Sequence, residues 1–225
     1  CLSWVTQLTG YKDEASLLSE IEKLDFSKPS QVTFLPYLSG ERTPHNNPNA
    51  QGVFFGLGHN TDSAELGRAV LEGIAFAFAD AQQAMLTAGT QIYTVSVIGG
   101  GSVSQLWGKI LASVLNRNLV YGHGGEVGPA YGAARLAKIG LNSMPAGQVC
   151  VAPKVKYIIK PDAIMSGYYS KQHLFIFSFQ IFDLKFSCPV NVRTKHTSFH
   201  FFIPIRFPIL MNFIIPFCDL IFVGI

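Results

Sequence analysis

Charge is scarce in this chain. Of its 225 residues, 14% are Asp, Glu, Lys or Arg and 48% are hydrophobic, whereas a typical globular domain carries about 25% charged residues. Cysteine is scarce too: 4 residues with no CxxC pair exclude a disulfide scaffold and a zinc ribbon, and leave a reduced, cytoplasmic protein as the default. Neither a GxxxxGK[ST] phosphate loop nor a GxGxxG fingerprint is present, so neither standard nucleotide motif applies. The formal charge of +3 comes without a basic stripe and gives no reason to expect nucleic acid. The start has no basic region, apolar core and cleavage site of a signal peptide. The longest uncharged run near the C-terminus, Phe207 to Cys218, holds Pro208 and Pro216 and falls short of the roughly 20 residues of a membrane-spanning helix. No membrane segment is expected.

The averages conceal a seam after Gly167. Residues 1–167 hold 12 Lys+Arg and 12 Asp+Glu, whereas residues 168–225 hold 5 Lys+Arg, 2 Asp and 12 of the 18 Phe, with no Ala or Glu and one Gly, Gly224. Runs such as Phe175–Phe179 and Phe199–Ile203 show no helical stripe. The expected organisation is a domain over 1–167 and an unassigned Phe-rich tail over 168–225 that is not a native domain, its composition being that of a shifted or non-coding frame. At the other end, Leu2, Trp4, Val5 and Leu8 already read as helix, uncapped and without a preceding Met, so a fragment is expected.

Residues 1–167 alternate helix and strand. A helical run over Ala15–Leu24 leads to the strand-like Val32–Leu35 and a polar loop, Ser39–Pro48. Asp62 stands three residues before Glu65, a capping box, and the spacing of Leu66, Val70, Ile74, Ala77 and Ala81 predicts a helix to about Ala88, stopped by Gly89. Tyr93–Ile98 alternates as a strand does and runs into Gly99-Gly100-Gly101. Ser102 and Gln105 offer a second capping box, and Val103, Leu106, Trp107, Ile110, Leu111 and Val114 mark one helical face. Leu119–Tyr121 is a short strand, Gly122–Gly128 a second glycine-rich loop, and a helix from Pro129 runs through Ile139 to Gly140. This alternation predicts an α/β domain with its sheet covered by helices.

The turn at Gly99-Gly100-Gly101 carries the most chemistry. Glycine after a strand admits close backbone approach, and the next helix start offers free N–H groups to anions or polar edges. The same features also suit a tight connection with close packing. The Gly122–Gly128 loop admits the same pair of readings. His123 has no second His or Cys at metal spacing. Glu41, Arg42 and His45 in the polar loop suggest chemistry, but a Glu-Arg pair also reads as a surface ion pair of little energetic worth, and Glu72 and Asp80 read as solvent-facing or helix-stabilising acids. The sequence offers no catalytic and no metal-ligating candidate.

Taken in order, these pieces resemble the C-terminal half of the FGGY carbohydrate kinases. Gly52-Val53-Phe54-Phe55-Gly56-Leu57, followed by Glu65-Leu66 and Ala69-Val70-Leu71-Glu72, is similar to the second signature of that family. The loop Phe34–Pro48 is similar to its xylulokinase branch, Ile98–Ser104 to its adenosine-binding motif, and Glu126–Ala134 to the small-residue segment beyond. The resemblance covers about residues 1–165. It implies an incomplete ribonuclease-H-like (actin-like ATPase) domain, with ATP and Mg2+ as cofactors and D-xylulose as the sugar phosphorylated. It assigns Gly101 and Gln105 to the adenine nucleotide, with Gly99 and Gly100 shaping the turn. The catalytic Asp, phosphate loop and most sugar contacts of that family lie upstream of the segment it matches, and Asp13 and Asp25 precede no glycine-rich turn. The chain alone is therefore expected to be inactive. The alternative is a non-catalytic remnant or interaction module of a sugar kinase.

Overall fold

The computed structural model describes residues 1–125, 128–151 and 153–186. Two short helices, α1 (Leu2–Leu8) and α2 (Glu14–Ile21), precede strands β1 (Thr33–Leu35) and β2 (Val53–Phe55), which pair antiparallel around the polar loop. The long helix α3 (Ser63–Thr87) leads to β3 (Thr94–Val97), a 3-10 turn over Gly100–Val103, α4 (Gln105–Leu115) and β4 (Asn118–Gly122). Then come α5 (Gly128–Asn142), α6 (Ala146–Val149), β5 (Val155–Ile159) and α7 (Ala163–Phe186). β3 runs parallel to β4, with Val95 opposite Leu119 and Val97 opposite Tyr121, and β5 lies antiparallel on the other side of β4.

Local chemistry explains the borders of α3. The Glu65 amide donates to Asp62 Oδ1 at 2.8 Å and the Asp62 amide to Glu65 Oε2 at 3.4 Å, closing the capping box. At the far end Gly89 takes φ +89°, a left-handed backbone that favours glycine. Small residues on α3 let its neighbours close in. A Cβ on Gly73 would lie 2.2 Å from the Phe34 carbonyl oxygen, and one on Gly67 2.7 Å from Ile21 Cδ1. Val70, Ala75 and Phe76 of α3 thus join Leu17, Ile21, Phe34, Ile110, Leu119 and Tyr169 in a single buried cluster.

Several details depart from the sequence reading. Ser104, not Ser102, caps α4, its Oγ accepting from the Trp107 amide at 3.2 Å. Residues 100–103 form the 3-10 turn instead. β5 and α7 were not foreseen. α7 runs through the compositional seam at Gly167, and Tyr169 and Ile176 beyond it are buried. All described residues belong to one compact unit, Cys1–Ser187. The remainder of the Phe-rich tail, 187–225, and Glu126–Val127 of the second glycine loop lie outside the described residues. Among those described, no helix is long and apolar enough to cross a membrane.

Candidate functional site

The glycine turn sits where β3 ends. Gly99 takes φ +88°, a conformation the strand needs in order to break into the 3-10 turn and one that a side chain would strain. Its carbonyl accepts from the Ser102 amide at 3.0 Å, and its amide donates to the Gly125 carbonyl at 2.8 Å. The two glycine loops, read separately in the sequence, are therefore joined. Nothing lies within 4 Å of a Cβ built on Gly99 or Gly100, whereas one on Gly101 would meet the Trp107 indole at 3.4 Å. Space is therefore open beside Gly99 and Gly100, and filled by Trp107 beside Gly101.

Beside this turn, at the carboxyl ends of the parallel pair β3 and β4, lies a cleft of about 430 Å³. Ligands of open α/β sheets bind in this position. Gln105, the first residue of α4, lines it together with Val97, Ser102, Val103, Gly122 and Gly125, and β5 contributes Lys156 and Tyr157. Of the four residues singled out in the sequence, Gln105 thus faces the cleft. Gly99, Gly100 and Gly101 form the turn that delivers Ser102 and Val103 to it. Tyr121 of β4 stacks on Tyr157 with ring centroids 4.5 Å apart. Burial, with a smaller contribution from Tyr157, pushes the Tyr121 hydroxyl up to about 12, so it stays protonated at neutral pH. Tyr157 and Lys156 were missed because β5 carries no glycine or capping signal that marks it as functional.

A second, more open depression of about 530 Å³ lies at the other end of the same strands, around Tyr93, Arg117 and Pro161. It gathers none of the residues expected to bind. No described residues form a group of three or more His, Cys, Asp or Glu able to hold a metal, and His123 is exposed, its amide donating to the Lys154 carbonyl at 3.0 Å.

Of the two expectations for the acids of α3, the solvent-facing one fails, while Glu72 pairs with Arg68 one turn away on the same helix. Glu72 and Asp80 are buried, at 1% and 5% exposure. Glu72 Oε1 accepts from Arg68 Nε at 2.7 Å and from the Tyr169 hydroxyl at 2.9 Å. Burial pushes the Glu72 carboxyl above its ordinary range, against the pull of Arg68 and Tyr169. Arg68 also donates to the carbonyls of Asp25 and Lys28, which ties the α2–β1 connection to α3. Asp80 Oδ1 lies 2.7 Å from His173 Nε2 of α7, and its Oδ2 lies 3.8 Å from His45 Nε2 of the polar loop. Glu41 makes no described ion pair with Arg42; its carboxylate accepts from the backbone amides of His45 and Asn46 at 2.8 and 3.1 Å. Asp13 caps α2 by accepting from Ser16, and Asp25 accepts from the Ser27 amide. These acids organise the fold and stand apart from the cleft.

Residues 2–141 match the C-terminal domain of the FGGY family of carbohydrate kinases. The xylulose kinase of Escherichia coli K12 is 49% identical over 142 residues, 63% of this chain and 29% of that protein. A xyloylose kinase from Brucella ovis superposes with a TM-score of 0.73 at 36% identity, covering 82% of this chain and 38% of that one. A xylulose kinase from Rhodospirillum rubrum gives a TM-score of 0.66 at 25% identity over 82% and 38%. The chain thus spans about a third of the length of these relatives, and its α/β architecture is the ribonuclease-H-like, actin-like ATPase fold of such kinases. With a family match over most of the described residues and the glycine turn at the mouth of a cleft, the chain belongs to the FGGY family of carbohydrate kinases.

Proposed function

We propose that this chain carries the adenosine side of the ATP site of a sugar kinase whose substrate is D-xylulose. The observation that carries the reading is the cleft itself, where Ser102 and Val103 following the turn Gly99–Gly101, Gln105 at the start of α4, and Gly122 and Gly125 converge at the ends of parallel strands. Gly101 and Gln105 contact the adenine nucleotide; Gly99 and Gly100 set the turn. The amide-rich start of α4 favours a polar or anionic edge. The D-xylulose assignment rests on the similarity to xylulose kinases. In the complete reaction the γ-phosphoryl of Mg-ATP passes to a sugar hydroxyl, and catalysis is positioning plus charge stabilisation.

Among the described residues no carboxylate lines the cleft, so those residues by themselves do not fit a resident Mg2+. Mg2+ would enter with the nucleotide phosphates, whose charge it would offset. With no candidate base among the described residues that line the cleft, the chain by itself is expected not to phosphorylate D-xylulose. A cytoplasmic location is the reading that suits its 4 cysteines with no CxxC pair. The change of composition after Gly167 falls within α7, whose Tyr169 and Ile176 are buried with the domain. The second reading, a non-catalytic remnant or interaction module, draws on apolar side chains left in solvent, among them Ile98, Val103, Leu136 and Leu141. Calorimetric titration with ATP separates the two. Saturable binding that is lost in Gly101→Val supports a nucleotide site; no heat at millimolar ATP supports the remnant. ATP-dependent phosphorylation of D-xylulose by the purified chain would contradict the inactivity.

A further inference from the structure

Three hydrogen bonds ring the cleft and pin its walls together. The Gly99 amide donates to the Gly125 carbonyl at 2.8 Å, joining the glycine turn to the loop after β4. The His123 amide donates to the Lys154 carbonyl at 3.0 Å, joining that loop to the approach to β5. The Tyr157 hydroxyl donates to the Ser102 carbonyl at 3.3 Å, joining β5 back to the 3-10 turn. The first two links are backbone to backbone. The third is made by a side chain, and both of its partners line the cleft.

We propose that Tyr157 is a positioning residue for the nucleotide turn, holding Gly99–Val103 in the geometry that a bound nucleotide needs. Its ring is fixed from below by stacking on Tyr121, with an interplanar angle of 16°. Tyr121 is in turn packed against α4, where a Cβ on Gly108 would come within 2.5 Å of its hydroxyl oxygen. The Tyr157 hydroxyl therefore reaches the turn from a rigid base. Gly99 and Gly100 have no side chains and nothing near their Cβ positions, so the turn has little packing of its own to hold it. Bare glycine backbone is conformationally permissive, and a turn that must present amides to a ligand loses affinity when it is free to rearrange. Tyr157 supplies the missing restraint through its hydrogen bond to the Ser102 carbonyl.

This inference rests on the nucleotide reading of the cleft, and the test separates the two. ATP binding to the full chain is followed by Trp107 fluorescence, since that indole lies against Gly101, with Trp4→Phe as the background for both proteins. Tyr157→Phe keeps the stacked ring and removes only the hydroxyl. Its dissociation constant for ATP is expected to rise about three- to tenfold, the worth of one net hydrogen bond, while the urea midpoint stays close to that of the parent. Equal affinities in the two proteins, or a variant that fails to fold, would overturn the positioning role. Absence of ATP binding in the parent would instead remove the nucleotide reading. A second measurement needs no variant: ATP should slow amide exchange together in the peptides covering Gly99–Val103 and Val155–Ile159. Slowing confined to the glycine turn would count against a link through Tyr157.

Discussion

Truncation of Tyr169 measures how far the packed domain extends beyond the compositional seam. Tyr169 is 1% exposed; its hydroxyl donates to Glu72 Oε1 at 2.9 Å and its ring meets Phe76 edge-on at 5.7 Å. Burial, then the charge on Glu72, pushes the phenol far above its ordinary range, so it remains a donor at every practical pH. Tyr169→Phe deletes that donor. Hydrogen bonds to charged groups contribute about 1.5–3 kcal/mol. Glu72 Oε1 keeps Arg68 as a partner while Oε2 already has none, which places the expected loss at the lower end, about 1.5–2 kcal/mol. Tyr169→Ala also removes the ring from a closed site, and aromatic-to-alanine changes in cores cost about 3–5 kcal/mol.

The assay is urea unfolding followed by the fluorescence of Trp4, stacked near Phe34 and Phe54, and of Trp107, with circular dichroism to confirm a single transition. A chain ending at Gly167 loses Tyr169, the Tyr168 hydroxyl donating to the Phe26 carbonyl at 3.0 Å, the His173–Asp80 contact and buried Ile176 together. Against a total stability of about 5–15 kcal/mol for an ordinary domain, such a chain is expected not to fold. If it unfolds at the same urea concentration as the full chain, α7 does not stabilise the domain and the reasoning collapses. A Tyr169→Phe midpoint equal to that of the parent would refute the Glu72 hydrogen bond specifically.

Gly73→Ala is expected to cost about 1–3 kcal/mol, because its Cβ would lie 2.2 Å from the Phe34 carbonyl oxygen, which belongs to backbone and cannot swing away; a thermal melt checks it, and Ala at Gly89 serves as a comparison that loses only the left-handed cap. Glu72→Ala should destabilise by about 3–5 kcal/mol, the cost of leaving the buried Arg68 guanidinium without its carboxylate, readable in the same urea experiment. In alkali, the native state holds the Tyr121 proton up to about 12 while the unfolded chain releases it near 10. The folded state therefore binds more protons in that window, and stability falls as pH rises through it. Tyr121→Phe should show a shallower fall between those values, measured by urea midpoints along a pH series.

What could be read from the sequence was what neighbouring residues decide among themselves. The Asp62–Glu65 box and Gly89 bracket α3 because caps and left-handed glycines act within one turn of the chain, and the strand–glycine–helix unit at 94–105 is local in the same way. Even there, two serines two residues apart competed for one cap. Ser104 holds it because the glycines first take up a 3-10 turn, which a count of spacing does not foresee. The buried acids failed for the opposite reason. Glu72 and Asp80 lie on a helix whose periodicity is plain, but whether a carboxylate on it meets solvent depends on what packs there. The partners come from Tyr169 and His173, about a hundred residues further along, on a helix that the apolar pattern conceals. In α7 the sequence shows no stripe because apolar residues fall on both faces: Ile176 is buried while Leu174 is 68% exposed. A carboxylate accepting from Tyr169 is what makes the helix legible, and the sequence prints neither the contact nor a local substitute for it. The cleft stands between these extremes. Its glycine turn is written locally, whereas its third wall, Tyr157 on β5, reaches Ser102 only once β5 has paired with β4. For that reason the residue proposed to steady the turn is the one that motif reading passes over.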